Sequence, residues 1–320
     1  MASITNDVVT DLSPLLKVYK DGTIERLFGS PFAPPSEDPT TGVSSKDIQI
    51  ITSQVSARIY LPKNTGGGGG YGEKLPVLVY FHGGGFCTES AFSVLFHRLL
   101  NLLVAEANVV AVSVEYQRPP ENVLPAAYDD SWAALQWVAS HADGGDEKDP
   151  WLLNHADFNK LYLGGDSAGG NIVHNMLIRA GNEKLPSNVK IIGGFLTFPL
   201  FWGSKFEKSE SNNLSLAYKS WVLAYPTAPN GIDNPMINPL ANIPSLSRIG
   251  CSKLFVLVGD SNKDDLREIC LVYVEELKKI GIDHVELAVV DEEFPCFHIF
   301  DPSCEKAKDL IKSLASFMRD

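Results

Sequence analysis

A chain of 320 residues is long enough for one large α/β domain, and 44% hydrophobic against 21% charged residues is the ordinary balance of a globular protein with a sizeable core. The 27 Lys and Arg residues are outnumbered by 39 Asp and Glu, a formal net charge of -12, so no nucleic acid and no membrane is expected as a partner. Five cysteines without a CxxC pair, and a start lacking the basic and apolar regions of a secretory signal, predict reduced thiols and a cytoplasmic location.

Residues 1–45 join a short apolar segment (Leu12 to Tyr19) to a proline-rich run from Pro31 to Pro39, and predict an arm laid over a core. Ile48 to Leu61 is apolar and β-branched and predicts one or two strands. The consecutive glycines Gly66 to Gly70 predict a loose hairpin loop. No Gly-Lys-Ser/Thr and no helix follows to make them a phosphate cradle. From Pro76 the pattern alternates. Strands are predicted at Pro76–Phe81, Asn108–Tyr116, Lys160–Gly164, Lys190–Pro199, Lys253–Val258 and Val285–Val290. Helices are predicted at Ala91–Ala107, Ala126–His141, Ala168–Ala180, Leu266–Ile280 and Glu305–Met318. Continuous apolar strands alternating with helices call for a mainly parallel sheet covered on both faces, in a single α/β domain spanning residues 1–320. The stretch 201–244, rich in Ser, Asn and aromatics, breaks the alternation and is expected to form a cap together with residues 1–45.

Two motifs carry chemistry. Gly165-Asp166-Ser167-Ala168-Gly169 is a G-x-S-x-G between a predicted strand and a predicted helix, the setting in which glycines allow a strained turn to lift a serine hydroxyl clear of the sheet. His82-Gly83-Gly84-Gly85-Phe86 follows another strand. Its successive glycines bring backbone N–H groups close to a reacting carbonyl, and Ala168, next after the serine, would add a further N–H to that oxyanion hole. His82 precedes the donors and is read as a structural residue.

With these motifs in place the chain resembles the plant carboxylesterases of the hormone-sensitive-lipase-like α/β-hydrolases, over nearly its whole length. The resemblance is carried by Tyr80-Phe-His-Gly-Gly-Gly-Phe86, Leu124-Pro-Ala-Ala-Tyr-Asp-Asp130, Gly165-Asp-Ser-Ala-Gly-Gly-Asn171 and Asn234-Pro-Met-Ile-Asn-Pro239. Trp151-Leu-Leu-Asn-His-Ala-Asp-Phe158 is similar to the branch holding 2-hydroxyisoflavanone dehydratases and the cyclases of monoterpene indole alkaloid biosynthesis. The resemblance implies an α/β-hydrolase fold and a triad in the order Ser, Asp, His. Ser167 fills the first slot and Asp264 the second, with Asp265 and Asp260 as rivals. In the histidine slot, aligned on Phe297, stands Pro295, which has no side-chain proton to exchange.

His298, Cys296, Glu292 and Glu293 lie near enough in sequence to be weighed as replacements. A second departure is Tyr116-Gln-Arg-Pro-Pro-Glu121, where the family shows Y-R-L-A-P-E. Losing one triad member costs roughly 10^4–10^6-fold in hydrolysis. The expectation is therefore an enzyme that keeps the hydrolase pocket for elimination or cyclisation of a plant specialised metabolite. Plain serine carboxylesterase activity and a non-catalytic hormone-type receptor are the alternatives. The ligand is expected to be a small hydrophobic molecule met by Phe86, Phe201, Trp202, Trp221, Tyr225 and His298, with no cofactor and no metal, in a monomer or homodimer.

Overall fold

The computed structural model describes residues 7–50, 55–63, 73–145, 148–206, 215–259, 266–282, 284–291 and 294–319. The chain opens with strands β1 (Val8–Leu12), β2 (Leu16–Tyr19), β3 (Ile24–Arg26), β4 (Ser44–Gln49), β5 (Ser56–Leu61) and β6 (Leu75–Phe81). There follow α1 (Val94–Ala107), β7 (Val110–Glu115), α2 (Ala126–Ser140), α3 (Pro150–His155), β8 (Ala156–Asp166), α4 (Ala168–Ala180) and β9 (Ile191–Thr197). The remainder is α5 (Leu216–Ala224), α6 (Ile243–Leu246), β10 (Lys253–Gly259), α7 (Arg267–Lys279), β11 (His284–Val290), α8 (Phe297–Phe300) and α9 (Glu305–Arg319).

An eight-stranded sheet runs β11-β10-β9-β8-β6-β7-β5-β4. Strands β6 to β11 are mutually parallel, and β5 and β4 close one edge in antiparallel sense. Side chains alternate across a strand, so a strand buried on both faces feeds two cores at once. In β6, Val77, Val79 and Phe81 enter the core shared with Trp132 of α2 and Ile172 of α4. Leu78 and Tyr80 enter the opposite one, with Leu99 of α1 and Leu314 of α9. Strand β10 divides in the same way, Leu254 and Val256 on one side, Phe255 and Leu257 on the other. Helix α9 buries Ala307, Leu310, Ile311, Leu314 and Ala315, a stripe at helical spacing that lies against α1.

The alternating elements lie within a few residues of their predicted bounds, and Ile48 to Leu61 is resolved into β4 and β5, paired antiparallel. Three features differ from expectation. Helix α1 begins at Val94 rather than Ala91, because Ser93 is extended (ψ 153°) at its N-cap. Helix α3 went unpredicted, although Pro150 starts it and the Asp149 side chain accepts from Trp151 N. The arm carries a three-stranded antiparallel sheet, β1-β2-β3, with Gly22 (φ 85°) in the turn between β2 and β3. The glycines Gly66 to Gly70 lie outside the described residues. Residues 201–244 contribute α5 and α6 and several short 3-10 turns.

Candidate active site

The C-terminal ends of β6 and β8 meet where β6 pairs with both β7 and β8, and both motifs are found there. Ser167 is the single residue between β8 and α4, at φ 49° and ψ -115°, a conformation that a non-glycine residue enters only when its surroundings force it. The forcing contacts are backbone bonds. Ser167 N donates to Thr197 O at 2.9 Å, and its carbonyl accepts from Leu200 N at 2.8 Å and Asn171 N at 3.0 Å. The turn is tight enough that a Cβ at Gly169 would run into the Phe81 carbonyl, which explains the second glycine of the motif. Ala168 is the first residue of α4, where helical N–H groups have no partner within the helix.

The loop after β6 is built with equal rigidity. Gly84 (φ +104°) has its carbonyl held by Thr88 N at 2.9 Å, Thr88 Oγ1 at 2.9 Å and Cys87 N at 3.0 Å, and a Cβ there would strike Thr88 O. His82 is fully buried and stacks on Tyr116 with ring centroids 4.2 Å apart and planes at 10°. Its Nδ1 lies 2.8 Å from Gly83 O, the Tyr116 hydroxyl donates to His82 O at 2.7 Å, and burial lowers its pKa to about 3. A neutral imidazole packed in this way holds the loop. The departing segment 117–121 is anchored too. Gln117 donates to Asp130 from N (2.8 Å) and Nε2 (3.1 Å), while Arg118 pairs with Glu115 at 3.2 Å and donates to Glu89 O.

Between these turns lies a cavity of about 390 Å³. Ser167, Gly84 and Gly85 line it together with Pro295 and Cys296. Its roof comes from three distant segments: Pro14, Leu15 and Phe28 of the arm, Leu216, Ala217 and Ser220 of α5, and Ile299 and Phe300 of α8. Two carboxyl groups, Glu89 and Asp166, and the serines Ser167, Ser215 and Ser220 interrupt an otherwise apolar wall. Glu89 accepts from Ser30 N and Ser30 Oγ, both at 2.9 Å. Asp166 accepts from the Tyr80 hydroxyl at 2.8 Å, and burial above all raises its pKa to about 7.

Of the expected site residues, the structure brings together Ser167, Gly84, Gly85 and Pro295, with Gly83 and Ala168 adjoining them. Asp264, its rivals Asp265 and Asp260, and Glu292 and Glu293 lie outside the described residues. No histidine lines the cavity among the described residues. His298 is buried, stacks on Phe198 (6.1 Å, 17°), and has its pKa lowered to about 3 by burial.

The aromatic residues expected to meet the ligand do not line the cavity. Phe86 and Trp221 pack against each other at 6.4 Å, Tyr225 lies edge-on to Trp221, Phe201 packs on His174 and Tyr273, and Trp202 is buried. The reason is helical geometry. Residues 217, 220, 221 and 224 form the buried stripe of α5, and only its first part, with Leu216, reaches the cavity. The lining residues contributed by the arm and by α8 had no sequence signal, since each is an ordinary apolar residue far from either motif.

The elbow, the glycine loop after β6 and the parallel sheet that carries them define an α/β hydrolase, and the chain belongs to the alpha/beta hydrolase fold family, which matches residues 78–299. It is similar to a 2-hydroxyisoflavanone dehydratase of Glycyrrhiza echinata, 50% identical and covering 99% of this chain and 100% of that one. A tabersonine synthase of Catharanthus roseus is 50% identical (98% of this chain, 99% of the other), and a probable carboxylesterase 1 of Arabidopsis thaliana is 40% identical (98% of each). Among solved structures, a carboxyl esterase of Tuber melanosporum shares the fold at a TM-score of 0.69 and 20% identity, over 88% of this chain and 89% of that one.

Proposed function

We propose that the protein is a carboxylesterase-like lyase or cyclase that eliminates from, or closes a ring in, a small hydrophobic plant metabolite such as an indole alkaloid intermediate. The observation that carries this reading is the cavity wall, where the strained Ser167 and the oxyanion loop face Pro295 and no described histidine. With no histidine among the described lining residues to take the Ser167 proton, hydrolysis of an ester is expected to lose roughly 10^4-fold or more.

Elimination and cyclisation ask for less. They need a reactive substrate held in one conformation, water kept out, and a few donors and acceptors where charge develops. The apolar roof offers few partners to water, the Ser167 hydroxyl and the Gly84 and Gly85 amides offer donors, and Asp166 holds or releases a proton near neutral pH. Similarity to a dehydratase and a synthase supports this reading. The intact elbow favours the second one, a serine carboxylesterase acting on small acyl esters.

Hydrolysis of p-nitrophenyl butyrate separates them. The expected result is a wild-type rate within about tenfold of Ser167→Ala, with Pro295→His raising Ser167-dependent hydrolysis by about 10²-fold or more. Fast wild-type turnover that disappears in Ser167→Ala would establish the esterase and end the lyase reading.

A further inference from the structure

Helix α5 reads Leu216-Ala-Tyr-Lys-Ser-Trp-Val-Leu-Ala224 and buries Ala217, Ser220, Trp221 and Ala224. Ser220 is the one hydroxyl on that stripe and is 1% exposed. A serine buried in a helix ordinarily satisfies itself by donating to the carbonyl four residues back, as Ser131 does to Ala127 O at 2.7 Å in α2. Ser220 makes no such bond and has no hydrogen-bond partner among the described residues, and its oxygen is not sealed off in the core but opens onto the cavity. It lines the cavity beside the oxyanion loop. A Cβ at Gly85 would stand 3.0 Å from Ser220 Oγ and 2.8 Å from Leu15 Cδ1, so this hydroxyl is a polar point in a roof made of Pro14, Leu15 and Leu216.

We propose that Ser220 is a ligand-binding residue whose hydroxyl donates a hydrogen bond to a neutral carbonyl or ester oxygen seated beside Gly84 and Gly85. Neutrality follows from the wall, since Glu89 and Asp166 line the cavity and no basic side chain lines it among the described residues. A ligand carboxylate would find no cation to pair with there, while a neutral carbonyl accepts the hydrogen bond without that cost. Ser220 thus gives the cap a part in selecting the substrate, in addition to closing over it. The inference rests on the cavity being the ligand site of the proposed function, but it requires no particular reaction.

Two measurements on Ser220→Ala test it. A hydroxyl without a protein partner adds nothing to the ligand-free fold, so the variant's Tm in the absence of ligand should equal or exceed that of the wild type; a fall of more than about 3 °C would make Ser220 a structural residue and overturn the proposal. The second measurement compares deoxybenzoin with bibenzyl, which differ by one carbonyl, through displacement of a fluorescent anilinonaphthalene probe. Ser220→Ala should weaken the ketone by roughly five- to tenfold and the hydrocarbon by less than about twofold, with Ser220→Thr restoring the difference. An unchanged ketone-to-hydrocarbon ratio would also overturn it. If the protein proved to be an esterase, that would appear in p-nitrophenyl butyrate turnover and leave this ratio where it was.

Discussion

Asp166 stands one residue before the elbow serine, with one carboxyl oxygen receiving the Tyr80 hydroxyl and the other lying against Gly83. Burial holds its pKa near 7, against an ordinary 3.8, and the hydrogen bonds from Tyr80 and the Gly83 backbone only partly oppose that. The folded protein therefore binds this proton more tightly than the unfolded chain does. The stability it contributes is complete below pH 3.8 and is lost as pH rises through 7. Asp166→Asn stays neutral throughout, so its urea midpoint should gain on the wild type steadily between about pH 4 and pH 7 and hold a constant difference above that range. A difference that does not vary with pH would mean that Asp166 is ionised in the fold. Ser167 and the three loop glycines could be read from the sequence because strained turns restrict residue identity. Ser220 and the arm residues could not, since a serine in a helix or a leucine in a strand looks the same wherever it points.

At the scale of elements, the three-stranded sheet of the arm is fastened to the glycine loop after β6 through the side chain of Arg26. Arg26, at the end of β3, donates from Nε to Cys87 O at 2.8 Å and from its terminal nitrogens to Pro119 O at 3.2 Å and to both oxygens of Glu121 at 2.8 and 2.6 Å. One guanidinium thus ties the arm, the segment after Gly85 and the departing 117–121 loop together. Its fork geometry is needed, because a lysine would reach only part of that set. Arg26→Ala is expected to lower stability by about 1–2 kcal/mol and to speed proteolytic cleavage in residues 7–30, with Arg26→Lys recovering less than half of the loss. Cleavage and melting at wild-type values in both variants would show that the arm is held without Arg26, by its apolar contacts and by bonds such as those from Ser30 to Glu89. The role of Arg26 as a fastener was not visible in the sequence. That role depends on partners 61 to 95 positions away along the chain.

Across the whole molecule, the alternation of strand and helix was legible because burial on both faces leaves a continuous apolar run that few other folds require. The same two-sided burial links the parts in stability. Strand β6 feeds both cores, and the stripe of α5 with Trp221 belongs to the same core as Trp132 of α2. Urea unfolding followed by tryptophan fluorescence and by far-ultraviolet circular dichroism should therefore give coincident curves. An earlier fluorescence transition would show that residues 201–244 detach before the sheet melts. Among the described residues no helix is long and apolar enough to cross a membrane, and no group of acidic, histidine and cysteine side chains is arranged to hold a metal. The roof of the cavity, assembled from the arm, α5 and α8, with Phe28 edge-on to Phe300 at 6.0 Å, has a kinetic consequence. A molecule filling that space touches all three segments, so its binding links them and slows the separation of any one from the others.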